Sequence, residues 1–156
     1  MVKNFGFIPP KIETREEGAE HIFGSLSGVS GEVINPSGDW TSYLPEKEAQ
    51  NKNGFETQGC TAYGLHNALE TLLNFKKVKV NFSDRYLCIC ADVNPKEGAD
   101  PHKTAEALRK ICGTVPEERL PFSDDIDSVL KYYSPKPMLD YILSQGKRWW
   151  DEWEFS

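Results

Sequence analysis

The stretch from Cys60 to Phe75 constrains this chain more than any other part of it. It contains no proline, and Gly64 is its only glycine. Ala62, Leu65, Leu69, Leu72 and Phe75 recur at steps of three and four residues. That spacing gathers apolar side chains on one face of an α-helix, so a mostly buried helix is expected here. Thr57 stands just ahead of it as a candidate N-cap. Cys60 therefore falls in the first turn of a buried helix.

The flanks read differently. From residue 1 to about 55, Pro9-Pro10, Gly24, Gly28, Gly31, Pro36, Gly38 and Pro45 interrupt every candidate element, which predicts an extended, loop-rich arm. Phe5 to Ile8 and Glu32 to Ile34 are short strand candidates within it, and Glu13 to His21 a short helix. Residues 56–156 form the predicted helical domain. Lys76 to Val80 is expected to be a connection or short strand. Ser83 to Cys90 reads as a second helix capped by Asn81 or Ser83, and Asn94 to Gly98 as a loop. Asp100-Pro101 is a helix start, with Asp as N-cap and Pro at the first helical position. Ala105, Leu108, Ile111 and Cys112 supply that helix's apolar face, and Gly113 is placed to end it. Pro116 to Pro121 is turn-rich, and two further helices are predicted over Asp124 to Tyr133 and Lys136 to Trp153.

Composition narrows the function classes. With 38% hydrophobic and 27% charged residues, the chain is expected to be globular. A net charge of -6 argues against a nucleic-acid partner, because phosphate neutralisation needs a basic face. No apolar run is long enough to span a bilayer, and Met1 to Pro10 lacks a secretory pattern, so an intracellular chain without a membrane partner is expected. Cys60, Cys88, Cys90 and Cys112 are too sparse for a disulfide scaffold and read as reduced thiols. Cys88-x-Cys90 with His102 and Cys112 is the one metal-like set. On a helix, however, Cys-x-Cys turns its two thiols about 200° apart, so no metal or other cofactor is expected. Asp124, Asp125 and Asp127 read as a helix-start cap and a solvated face.

The chemistry points to Cys60. Unpaired N–H groups and the positive end of the helix dipole favour thiolate at a first-turn cysteine. Thiolate is the attacking species in acyl transfer, and the same N–H groups can bind the resulting oxyanion. Gly59 would let a substrate backbone approach closely. A cysteine on a helix is more often a small buried hydrophobe, so local features leave both readings standing.

A longer pattern adds to this. Asp39-Trp40, Lys52-Asn53-Gly54, Gly59-Cys60-Thr61-Ala62-Tyr63, Asn81-Phe82-Ser83-Asp84-Arg85-Tyr86, Gly98, the Thr104 to Ile111 helix and Val115-Pro116-Glu117 to Leu120-Pro121-Phe122 follow one another in order. Over residues 39–122 this resembles the helical half of papain-like cysteine peptidases. The pattern through Tyr132-Tyr133-Ser134-Pro135 is most similar to papain-like proteins encoded by phages, which implies a cytoplasmic or virion setting. The resemblance implies an α+β fold, mostly helical in this chain: the left-hand, helical papain-like domain behind a long irregular arm. It implies a thiol protease that hydrolyses peptide or amide bonds of a peptide or protein substrate through an acyl-enzyme on Cys60. Gly98 would line the substrate groove. The family's oxyanion glutamine lies six residues before the nucleophile, where this chain has Gly54. Gln50 and Gln58 are the two candidates to replace it, and Gln50 is preferred.

The family's catalytic histidine lies about 130–150 residues beyond the cysteine, roughly at position 190, and the histidines here are His21, His66 and His102. His66 lies about 240° round the helix from Cys60 and reads as a core or surface histidine. His102 reads as an exposed first-turn residue. The base is therefore expected from a missing β-rich half. Trp149, Trp150 and Trp153 would pack against that half, against a partner, or back on this domain. The alternative is an inactive peptidase-fold binding or structural module.

Overall fold

A computed structural model describes residues 34–134 and 140–152, with side chains in the last helix described as far as Trp149. The expected elements at Phe5 to Ile8, Glu13 to His21 and most of Glu32 to Ile34 lie outside those residues, as do the Trp150 side chain and Trp153. The described chain is mostly helical. Helix α1 runs Cys60–Phe75, α2 Asp84–Cys90 and α3 Pro101–Glu106, which continues as a π-helical stretch over Ala107–Cys112. Helix α4 runs Val129–Tyr133 and α5 Asp140–Glu152. Short 3-10 turns lie at Thr41–Tyr43, Lys52–Gly54 and Glu117–Arg119. Pairing is confined to two isolated bridges among the described residues, Phe82 with Pro116 and Asn94 with Gly98. Among the described residues the β component of the expected α+β class therefore does not form a sheet, and Lys76 to Val80 is a connection, turned by Lys77 at φ 64°.

Local chemistry explains where the elements begin and end. Ser83, not Asn81, caps α2 by accepting from the Tyr86 N–H at 3.1 Å. Asn81 instead donates to Glu48 Oε1 at 2.6 Å. Asp100 caps α3 by accepting from the His102 N–H at 2.7 Å, with Pro101 at the first position. Gly113, at φ 63°, ends the π-helical stretch. The wider π turn re-phases that helix's face. Leu108 and Cys112 stay buried, while Ile111, expected inside, is 58% exposed.

Two expectations are corrected. Thr57 does not cap α1: Gly59 holds the N-cap position, no side chain caps it, and Thr57 Oγ1 accepts from the Gly59 N–H at 3.3 Å. The Asp124 to Tyr133 helix starts only at Val129, behind a Ser128 cap. The Asn53 side chain donates to both Ser123 O and Ile126 O at 2.9 Å. Ser123 O also accepts from the Ile126 N–H at 3.1 Å, so the segment closes as a turn that Asn53 holds from outside, and the helix begins only after it.

The core gathers Tyr63 and Leu73 of α1, Tyr86, Leu87 and Cys88 of α2, Val115 and Tyr132. The most buried line on α1 runs through Ala62, His66, Glu70 and Leu73. Leu65, Leu69, Leu72 and Phe75 are only half-buried beside it. Helix α5 crosses the end of the π-helical stretch at backbone contact. A Cβ on Gly146 would lie 2.1 Å from Tyr86 Oη and 2.3 Å from Cys112 O, so glycine is required there. Trp149 is 7% exposed and meets Phe82 edge-on at 6.1 Å. Its side chain is therefore largely taken up by its own domain, one of the three packings expected for it. Residues 34–55 lie against the helices: Trp40 and Tyr43 flank Phe75 at 5.4 and 5.1 Å, and Asn74 donates to Tyr43 O at 3.0 Å.

Candidate active site

The sequence places a cysteine at the head of α1, and the fold leaves it reachable. Cys60 is the first residue of the helix and is half-buried. The Ala62 and Tyr63 N–H groups donate to Gly59 O at 2.9 and 3.1 Å. No side chain caps the first turn. The approach to it is pinned from two sides. The Thr57 N–H donates to Gln50 O at 3.4 Å, and the Tyr133 hydroxyl to Thr57 O at 2.7 Å. Gln50 and Gln58 are thus both brought to the loop that leads into Cys60, and Gln58 adopts a left-handed φ of 60°. The Oε1 atoms of Gln50, Glu56 and Gln58 are buried without a hydrogen-bond partner. A buried acceptor left unpaired costs about 1–3 kcal/mol, so this loop is built at the expense of stability.

The electrostatics run against the expected poising of Cys60. Burial pushes its thiol up, the Glu56 carboxylate adds to that, and the Thr61 N–H opposes it without winning. The position carries a thiol, and the helix N-terminus alone does not convert it to thiolate. Gly59 also has another reason to be glycine. It is buried, and a Cβ there would sit 2.6 Å from Cys88 Sγ. Packing against Cys88 accounts for this glycine without a substrate. Gly98, at φ 88°, closes a tight turn in which Asn94 N donates to Gly98 O at 3.0 Å and Gly98 N to Asn94 O at 2.8 Å. That turn leads into α3, whose Thr104 hydroxyl reaches Thr61 Oγ1 at 3.1 Å, beside Cys60.

Nearly two turns further along α1 lies a cluster that the sequence pattern does not reveal. His66 is 1% exposed. Its Nδ1 meets Asp84 Oδ1 at 2.9 Å and its Nε2 meets Thr114 Oγ1 at 3.1 Å. Glu70 Oε1 accepts from the Phe82 N–H at 2.7 Å, and Glu117 Oε1 from the Phe122 N–H at 2.8 Å. Burial disfavours every charged form here. It lowers His66 to about 4 and raises Glu70 to about 7 and Glu117 to about 7. Asp84 is pushed to about 8 by burial, with Glu48 adding to the rise. Burial therefore pushes both partners of the close His66–Asp84 contact toward their neutral forms. Both imidazole nitrogens are engaged, so His66 is a core histidine and cannot accept the Cys60 proton. The available signal was the His66, Glu70 spacing of one helical turn, two polar residues on one face.

Cys88 and Cys112 are buried and Cys90 half-buried, all as free thiols. Among the described residues no group of three or more His, Cys, Asp or Glu could hold a metal ion, and no helix is long and apolar enough to cross a membrane. No protein-family model, no curated protein and no solved structure matches this chain.

Proposed function

We propose that this chain is the nucleophile-bearing helical part of a papain-type thiol hydrolase that cleaves peptide or related amide bonds. The observation that carries the reading is the position of Cys60: a half-buried thiol at the uncapped N-terminus of a long helix anchored in the core. Sulfur adds to the substrate carbonyl, and the oxygen takes up the electron pair as an oxyanion beside the Cys60 N–H. The side-chain amide of Gln50 or Gln58 is the second donor. The amine leaves with a proton, and water then hydrolyses the thioester. The thiol proton has to go to a base, because burial and Glu56 keep Cys60 protonated. That base is an imidazole other than His66, in this chain or on a partner.

A second reading has its own support. A thiol held protonated, with the neighbouring imidazole committed to the core, suits an inactive peptidase-fold module. Acylation separates the two. The folded chain is treated with a peptidyl thiol-reactive acyl donor, and modification of each cysteine is followed by mass spectrometry. The hydrolase reading expects one acyl group, on Cys60, gained faster than in the urea-unfolded chain. Labelling of Cys60 no faster than in the unfolded chain, or no faster than Cys90, overturns it in favour of the module.

A further inference from the structure

We propose that the groove between the Val78 to Phe82 connection and α5 docks an extended acidic segment of a protein partner, one that carries an aromatic side chain. The groove encloses about 480 Å³. Three cations line it from three separate elements: Lys79 on the connection, Arg119 on the 3-10 turn and Arg148 on α5. Among the described residues, no acidic side chain lines it. The described ion pairs use other cations, namely Lys52, Lys103, Arg109, Lys110 and Lys131. In a chain of net charge -6, three cations around one groove that enter none of the described ion pairs are a local inversion of the charge balance. Like charges held together around one groove fit an anionic occupant.

The rest of the groove argues for a peptide. Its floor is apolar and aromatic, with Val80 beside the edge-on pair of Phe82 and Trp149. An aromatic side chain packs well on such a floor. Gln145 gives its amide to the Tyr141 hydroxyl at 2.9 Å, which leaves its Oε1 buried and without a partner. That oxygen awaits an N–H donor. Along the opposite wall, the main-chain N–H and C=O groups of Lys79 and Val80 take part in no backbone hydrogen bond with the described residues. An open main-chain edge beside side-chain pockets is how an added strand is recognised. The overall acidity disfavours nucleic acid as the occupant. The site is separate from Cys60. The Val78 N–H donates to Leu73 O near the far end of α1, ~20 Å of helix from its first residue.

The test uses the full chain and a short dye-labelled Glu/Asp-rich peptide with one central Phe, read by fluorescence anisotropy. Binding is expected to weaken about tenfold when the Phe is changed to Ala, and by at least as much for the R119E/R148E variant. Both arginines are exposed, so that variant should unfold at the wild-type temperature. Cys60→Ala should bind as wild type, which keeps this result independent of the Cys60 chemistry. Equal affinity of wild type and R119E/R148E overturns the proposal. So does a single-stranded oligonucleotide, or the Phe-less peptide, binding as tightly as the Phe-bearing one.

Discussion

The first turn of α1 and the two turns after it share one helix and follow opposite rules. At the head, Cys60 is half-buried, no side chain caps the turn, and Gln50, Glu56 and Gln58 each leave a buried oxygen unpaired. Around His66 every polar group is deeply buried and partnered: His66 with Asp84 and Thr114, Glu70 with the Phe82 N–H. The lesson concerns what each polar group is for. Polar atoms that hold a fold together are satisfied internally. Polar atoms left wanting at an accessible helix end are available to something else. By that criterion the imidazole on α1 is structural and the thiol is the reactive candidate.

The comparison breaks most directly at His66. Replacing His66 with Ala opens a cavity and strands Asp84 and Thr114 inside the core, at a cost of about 3 kcal/mol or more. The thermal midpoint should drop by roughly 6–12 °C, seen by calorimetry. A loss below about 1 kcal/mol would mean that the buried cluster is not what secures α1.

A pH titration of stability sharpens the same contrast with a smaller effect. Glu70 and Glu117 titrate near 7 and Asp84 near 8 when folded, against 4.5, 4.5 and 3.8 as ordinary values. The folded chain therefore holds protons that the unfolded chain has already lost. This contribution is full below the ordinary carboxylate values and is lost as pH rises through 7 and 8. His66 runs the other way: lowered from 6.5 to about 4, its contribution is present above 6.5 and lost as pH falls through 4. Three carboxyls outweigh one imidazole, so the thermal midpoint should fall by about 5 °C or more between pH 5 and pH 8. Asp84→Asn should flatten that slope. A midpoint that rises across this range, or an unchanged slope in D84N, contradicts the neutral cluster.

The smallest effect belongs to the helix head. Glu56 is the carboxylate that helps hold Cys60 up. Glu56→Gln should move the pH profile of Cys60 alkylation by iodoacetamide to lower pH and leave the thermal midpoint nearly unchanged. A profile that stays in place would show that burial alone sets the thiol.

Much of the fold was legible where local chemistry decides it. The start of α1 at Cys60, the Ser83 and Asp100 caps, Pro101 at a first helical position and the Gly113 stop each depend on a few neighbouring residues. The failures came where distant residues intervene. The segment 124–127 has helix-start chemistry, yet Asn53 holds the Ser123 and Ile126 carbonyls from 70 and 73 residues away and the segment forms a turn. Ile111 has the right spacing for burial, yet a π turn moves it outside. Apolar periodicity found one edge of the buried face of α1 and missed its centre. That centre is His66 and Glu70, which become core residues only because Asp84, Thr114 and the Phe82 N–H meet them.

The amino-acid sequence by itself determined that a proline-free helix begins at Cys60, because spacing and helix-breaking residues act over one or two turns. Only the tertiary structure decided what that helix presents. Burial and Glu56 keep the thiol protonated, Cys88 rather than a substrate accounts for Gly59, and Asp84 with Thr114 occupies the imidazole. Those outcomes depend on desolvation and on partners far away in the chain, and no local pattern contains either.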